Sequence, residues 1–131
     1  MKHKDECVFC KIAKGEIKCD FIYENDNFFS IYDANPKVDG HSLVISKKHF
    51  NTMLDLPTSL GEELIDCIKK TTLKLMKQFK SAGFQIEQNN FKAGEQVVKH
   101  FHLHILPRKE DDNLKLRLIR YTDDKISVID R

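Results

Sequence analysis

At 131 residues, with 40% apolar residues, 32% charged residues and a formal net charge of +2, the chain has the make-up of one soluble globular domain with a real core. Acids and bases are interspersed, so neither nucleic acid nor an anionic membrane is called for as a partner. No apolar run approaches the ~20 residues of a membrane span. The charged start Met1–Glu6 lacks the apolar segment of a signal peptide, which makes a cytoplasmic, reducing setting the expectation.

Residues 1–6 are expected to fray. Cys7 to Lys14 suits a short helix stopped by Gly15. Phe21 to Glu24 and Phe28 to Tyr32 read as a hairpin about the turn Asn25-Asp26-Asn27. Asp33 to Gly40 is a loop punctuated by Pro36 and Gly40, and Ser42 to Ser46 is a buried strand followed by Lys47-Lys48-His49. One helical turn is expected to lead on through Leu56.

A long helix follows Pro57. Ser59 and Glu62 have the spacing of a capping box. Leu60, Leu64, Ile68, Leu75 and Phe79 recur at helical spacing, with Ile65 and Cys67 beside them, and Gly83 is the expected stop. Acids lie at its start and lysines at its end, as the helix dipole prefers. One apolar face is enough to cover a sheet, so the helix reads as scaffold. Phe84 to Gln88 is the next strand, and Asn89 to Lys99 is a polar loop containing Gly94.

The stretch His100-Phe101-His102-Leu103-His104-Ile105-Leu106-Pro107 carries the most information. Successive side chains of a strand point to opposite faces. His100, His102 and His104 then line one face, with roots roughly 6–7 Å apart, while Phe101, Leu103 and Ile105 face a core. As a helix, neither face would be apolar. Pro107 is expected to end the strand. Three histidines in strict alternation, out of six in the chain, are hard to explain as a solvated surface. Beyond a charged turn at Lys109 to Asn113, Leu114 to Tyr121 and Ile126 to Ile129 read as extended. Strands in series about one long helix predict an α+β domain with an antiparallel sheet of about five strands, spanning 1–131.

Two chemistries suit the histidine row. Histidine attacks phosphorus to form a covalent intermediate that water resolves, and a second histidine holds phosphate or moves a proton. His102, flanked on both sides, is the best placed nucleophile. Alternatively, Cys7 and Cys10 with histidines from the row, or with His49, make a Cys2His2 zinc set. The ligands would come from three segments, and spacing alone does not choose among them. Cys67 reads as core, and Cys19 has no assignment.

Val98 to Arg108 resembles the histidine triad signature, H-φ-H-φ-H-φ-φ. Three further stretches resemble the Hint branch of that family: C-V-F-C-K-I-A-K-G-E-I from Cys7, Asp33 to His49, and N-N-F-K-A-G-E-Q-V-V-K-H from Asn89. The likeness covers about residues 7–109 and leaves the C-terminal tail unassigned. It implies a nucleotide hydrolase or transferase with His102 as nucleophile, His104 on the α-phosphate and His41 supporting them. Asp33 and Ala34 are implied at the ribose and base of a purine nucleotide or nucleoside phosphate conjugate, and Asn89, Gln96 and Val97 at the phosphate. It further implies a structural zinc on Cys7, Cys10, His49 and His100, and a homodimer formed through the long helix and a strand.

Two departures stand out. Val97 replaces the family's usual serine or threonine, whose hydroxyl helps protonate a leaving amine. That weighs the expectation away from phosphoramidates and toward a better leaving group, such as that of a dinucleoside polyphosphate. Glu95 replaces the usual glycine. The alternatives are a regulatory nucleotide-binding protein with little turnover and a zinc-stabilised interaction module.

Overall fold

The structure is a computed structural model that describes residues 6–114 and the backbone of two further strands. The expected frayed start falls almost wholly outside the described residues, as do residues 115–117 of the expected extended tail.

Five strands form one antiparallel sheet in the order β1-β2-β3-β5-β4: β1 (Tyr23–Glu24), β2 (Phe28–Tyr32), β3 (Ser42–Ser46), β4 (Gly83–Glu87) and β5 (His102–Arg108). The α+β expectation holds. A separate antiparallel pair is made by β6 (Leu118–Thr122) and β7 (Lys125–Ile129). No helix among the described residues is long and apolar enough to cross a membrane.

Each face of the sheet carries one helix. Helix α2 (Gly61–Phe79) covers the back, where Phe28, Val44, Phe101, Leu103 and Ile105 pack with Cys67 and Leu75. Helix α1 (Val8–Ala13) covers part of the front, against Phe29, Ile31, Leu43 and Ile45. Register decides which side each histidine takes. His104 pairs with Leu43 and His102 with Ile45, so both share the front face with α1. Leu103 pairs with Val44 and faces α2. The period of two read in the sequence is thus the alternation between two covered faces.

Four local expectations are corrected. The strand begins at His102, so His100 lies outside the row. Just before it, the Phe101 N–H turns to the Phe50 carbonyl at 2.6 Å, while its own carbonyl keeps one long bond, 3.4 Å, from the Ser46 N–H at the end of β3. Pro107 sits inside the strand instead of ending it, because β3 stops pairing at Ile105 and leaves one side of β5 without a neighbour there. Ser59 caps nothing: Thr58–Leu60 already form a 3-10 turn running into α2, so Ser59 lacks the extended backbone an N-cap needs. A capping box forms instead at Thr52 and Asp55, before the 3-10 turn Met53–Asp55. Finally, α2 ends at Lys80, which takes the left-handed conformation (φ 53°), and Gly83 opens β4.

Gly40 fixes the loop before β3. Its φ is +86°, and a Cβ there would lie 2.7 Å from Cδ2 of Phe79 and 3.2 Å from Cγ of Pro107. Gly40→Ala therefore combines backbone strain with overpacking, and destabilisation of about 2–3 kcal/mol in urea unfolding is expected. Gly94→Ala, with nothing within 4 Å of its Cβ, is the matched control and stays within about 0.5 kcal/mol. The stacking of Gly40 on the end of α2 also sets where His41 enters the sheet.

Candidate active site

A cleft of about 690 Å³ opens on the front face between α1, the β2–β3 loop and the loop after β4. Its floor is His102 and His104. Phe9 and Ile12 of α1 face Ile31 and Leu43 of the sheet across one end, which makes an apolar slot. Asp33, Ala34, Lys37 and His41 line it from the β2–β3 loop; Glu87, Asn89, Glu95 and Val97 line the opposite end.

Hydrogen-bond partners fix the tautomers of the floor. The Nδ1 of His102 lies 2.7 Å from the His100 carbonyl, which only accepts, so Nδ1 carries the hydrogen. Nε2 is left with its lone pair, turned to the cleft. The ring is 7% exposed, and burial lowers its pKa below the usual histidine value, with the His100 carbonyl opposing. At neutral pH this is an uncharged base.

A second chain of bonds starts at the Lys37 backbone N–H, which donates to Nδ1 of His41 at 3.1 Å. His41 therefore bears its hydrogen on Nε2, 2.9 Å from Nδ1 of His104 and 3.4 Å from a carboxylate oxygen of Asp33. His104 accepts on Nδ1 and so carries its own hydrogen on Nε2. Asp33, His41 and His104 are close enough together to suggest a metal set. With both nitrogens of His41 already in hydrogen bonds, they form a donor chain instead.

Burial pushes His104 down to about 4, and His102 and His41 beside it add to the effect. Because the folded pKa lies below the roughly 6.5 of an unfolded histidine, the unfolded chain takes up the proton first as pH falls. This contribution to stability is complete above about pH 6.5 and declines toward pH 4. Screening at the partly exposed edge of the ring holds it to about 1 kcal/mol. Urea midpoints at pH 7 and pH 5 should accordingly differ less in His104→Gln than in wild type.

A third cluster lies behind the cleft. Sγ of Cys7 is 3.2 Å from Nδ1 of His100, and Sγ of Cys10 is 3.2 Å from Nδ1 of His49. The two Nδ1 atoms are 3.2 Å apart. Nε2 of His100 gives its hydrogen to the Ser46 carbonyl at 2.7 Å, and Nε2 of His49 meets Oδ1 of Asn51 at 3.0 Å. Both rings thus turn Nδ1 lone pairs toward each other and toward two thiols. Neither nitrogen has a hydrogen to give the other, and weak thiol S–H donors are what meet the two lone pairs. All four ligand atoms lie within 4.8 Å of one another, and two cysteines with two histidines are a tetrahedral zinc set. His100 is fully buried, and burial is the main cause that pushes it down to about 4, which keeps it neutral for metal binding.

Of the nucleotide-contacting residues expected from sequence, Asp33, Ala34, Asn89, Val97, His102 and His104 line the cleft. Gln96 does not. Its amide is spent on backbone, donating to the carbonyls of Asn51 (2.6 Å) and Val98 (2.9 Å) and accepting from Phe91 N–H (2.7 Å). It is a clamp on the loop. The apolar slot was missed, although the alternation of β2 and the spacing of Phe9 and Ile12 on α1 held the signal. Glu87 was missed too; as the cross-strand partner of His104 it shares that residue's face.

Comparison with known proteins covers most of the chain. The adenylylsulfatase HINT3 of Arabidopsis thaliana is 40% identical over 111 residues, 85% of this chain but 56% of that one, so the chain spans little more than half of that relative. The adenosine 5′-monophosphoramidase HNT1 of Candida albicans is 34% identical over 80% of this chain and 72% of its own. A zinc-bound histidine triad family protein from Mycobacterium smegmatis superposes with a TM-score of 0.76 at 33% identity, covering 93% of this chain and 87% of that one. The family model described as HIT domain matches residues 14–111, a stretch that holds His41, His49 and the whole histidine row while Cys7 and Cys10 precede it. The alternating histidines on the cleft floor and this match have one meaning: the chain belongs to the histidine triad, or HIT, family.

Proposed function

We propose that the protein is a nucleotidyl hydrolase or transferase that works through a covalent nucleotidyl-histidine. The observation that carries this reading is the free Nε2 of His102, turned into the cleft while Nδ1 is held by the His100 carbonyl. In the first step the Nε2 lone pair attacks the α-phosphorus of a bound nucleoside phosphate. The bond from phosphorus to the leaving group breaks with its electrons on that group, which takes up a proton. Water then displaces His102 and gives up a proton, releasing the nucleoside monophosphate.

The donor chain supplies the rest. His104 offers its Nε2 hydrogen to a phosphate oxygen whose charge grows at the transition state. His41 fixes the tautomer that makes this offer possible, and so counts as a positioning residue. The base fits between Phe9 and Ile12 on one wall and Ile31 and Leu43 on the other, with Asp33 and Ala34 toward the ribose. Asn89 and Val97 stand at the far end. The names of two relatives, an adenylylsulfatase and a monophosphoramidase, support the nucleotide class while differing in leaving group.

Cys7, Cys10, His49 and His100 fit a structural zinc, and the zinc-bound neighbour supports that choice. Bound there, zinc would supply a cross-link between α1 and the approach to β5, with no role in the reaction. A homodimer is also part of this reading. β4 is an edge strand that exposes Phe84 (46%) and Ile86 (47%), and α2 exposes Ile65 and Leu73. A cytoplasmic setting, where thiols stay reduced, belongs to the same reading.

The test is rapid mixing with adenosine 5′-phosphoromorpholidate, an acid quench and intact-mass measurement. A gain of one adenylyl unit on His102 is expected. Hydrolysis without any adduct at single turnover would rule out the covalent path, and binding without turnover would favour a regulatory protein.

A further inference from the structure

We propose that Gln96 is a positioning residue for the nucleophile: through the Val98 carbonyl it holds the turn whose far end, the His100 carbonyl, keeps the hydrogen of His102 on Nδ1. The proposal rests on the nucleotidyl-histidine reading above and adds to it a residue that lies outside the cleft.

The segment that carries this carbonyl stands ahead of the sheet, since β5 begins at His102. The His100 N–H donates to the Val98 carbonyl at 2.8 Å, which closes a three-residue turn about Lys99. The His100 carbonyl receives the Nδ1 hydrogen of His102 at 2.7 Å. The same Val98 carbonyl takes a second hydrogen bond, from Nε2 of Gln96 at 2.9 Å. A chain of contacts thus runs from the Gln96 amide to the imidazole that attacks phosphorus.

The amide of Gln96 suits this task. Both hydrogens of Nε2 are used, on Val98 and on the Asn51 carbonyl at 2.6 Å. Oε1 accepts from the Phe91 N–H at 2.7 Å. Carbonyls on one side and an N–H on the other leave a single choice of amide orientation. The backbone beside it is strained. Phe91 has φ +64° and ψ +167°, a region that favours glycine. Such a residue persists where its surroundings over-determine it. Gln96 does so here, binding the Phe91 N–H with its side chain and the Phe91 carbonyl with its own N–H at 3.0 Å. The strain brings one amide against the turn before β5.

The hydrogen bond at one imidazole nitrogen decides which nitrogen is left bare. If the His100 carbonyl drifts, the hydrogen is shared between Nδ1 and Nε2. Every molecule with Nε2–H lacks the lone pair that bonds to phosphorus. Loss of Gln96 therefore slows adduct formation without touching the slot that seats the base.

The experiment uses two variants. Gln96→Met keeps the length of the side chain and deletes its three hydrogen bonds; Gln96→Glu deletes the donors and keeps the acceptor. The imidazole nitrogen resonances of His102 are read by NMR without nucleotide, and adduct formation is timed with adenosine 5′-phosphoromorpholidate. Wild type should show hydrogen on Nδ1 alone, and both variants should show it distributed over the two nitrogens. Gln96→Met should form the adduct about 10–100-fold more slowly while binding AMP within about threefold of wild type. Tyr23→Phe, which loses a hydrogen bond to Asp66 of α2, controls for lost stability alone and should leave both readings unchanged. A wild-type tautomer in the Gln96 variants, or an adduct rate within about twofold of wild type, overturns the proposal. A wild-type chain that forms no adduct overturns the nucleotidyl-histidine reading, and the tautomers then still decide whether Gln96 positions His102.

Discussion

His102→Ala is expected to abolish the adduct and to lower turnover by roughly 10⁵–10⁶-fold, the scale on which enzymes lose a covalent nucleophile. The reasoning is geometric. His102 is the histidine of the row whose one nitrogen is held by a backbone carbonyl while the other faces the cleft. Both nitrogens of His100 lie among Ser46, Cys7 and His49, and the Nδ1 of His104 is taken by His41. Removing His104 should cost less, about 10²–10³-fold, because it deletes one donor to the transition state and leaves the bond-forming atom in place. Nucleotide binding should survive His102→Ala, since the slot of Phe9, Ile12, Ile31 and Leu43 is untouched. Added imidazole in His102→Gly offers the missing nitrogen from solution and should restore part of the rate. An alanine variant that still turns over within about a hundredfold of wild type would show that another group attacks phosphorus.

The sequence carried the faces of the molecule better than its joints. Strand alternation needs only local residues, so Phe101, Leu103 and Ile105 were legible as core and His102 and His104 as the opposite face, which lines the cleft, and β2 and β3 have their expected bounds. His100 was legible as a chemical residue but not as one that leaves the row. The hydrogen bond from Phe101 to Phe50 that diverts it is a tertiary contact with no local signature. The cluster of Cys7, Cys10, His49 and His100 was available from spacing only as one choice among several, because α1, the end of β3 and the approach to β5 meet through the fold. The partners of Gln96 likewise have no local signature: its amide stitches the glycine-containing loop to Asn51. The capping box at Ser59 was a motif without its backbone, since Pro57 starts a turn that is already helical at Ser59.

Cys7→Ser and Cys10→Ser should each strip the metal and unfold the chain far more easily, by several kcal/mol against a zinc-loaded wild type. The wild-type protein is expected to carry about one zinc per chain, measured by elemental analysis after gel filtration. The cluster lies between elements that have few other ties. Helix α1 is only six residues long, too short to persist alone, and it carries the Phe9 ring that packs on His100 and His102 at centroid distances of 5.7 and 5.1 Å. Without a cation, the Nδ1 lone pairs of His49 and His100, 3.2 Å apart, meet weak thiol hydrogen bonds in place of metal bonds. Loss of metal should therefore loosen α1 first and open the slot that α1 walls. KM is expected to rise more than kcat falls, the reverse of the His102 signature. Cys19→Ser, an exposed cysteine outside the cluster, should keep its metal and its stability, so a general effect of removing thiols is excluded. A strong chelator at neutral pH should reproduce the Cys7→Ser phenotype in wild type, and zinc should reverse it there but not in the variant. A wild-type chain that is metal-free as purified and gains no thermal stability from added zinc would remove the metal from this cluster and leave the tautomers of His49 and His100 in need of another explanation.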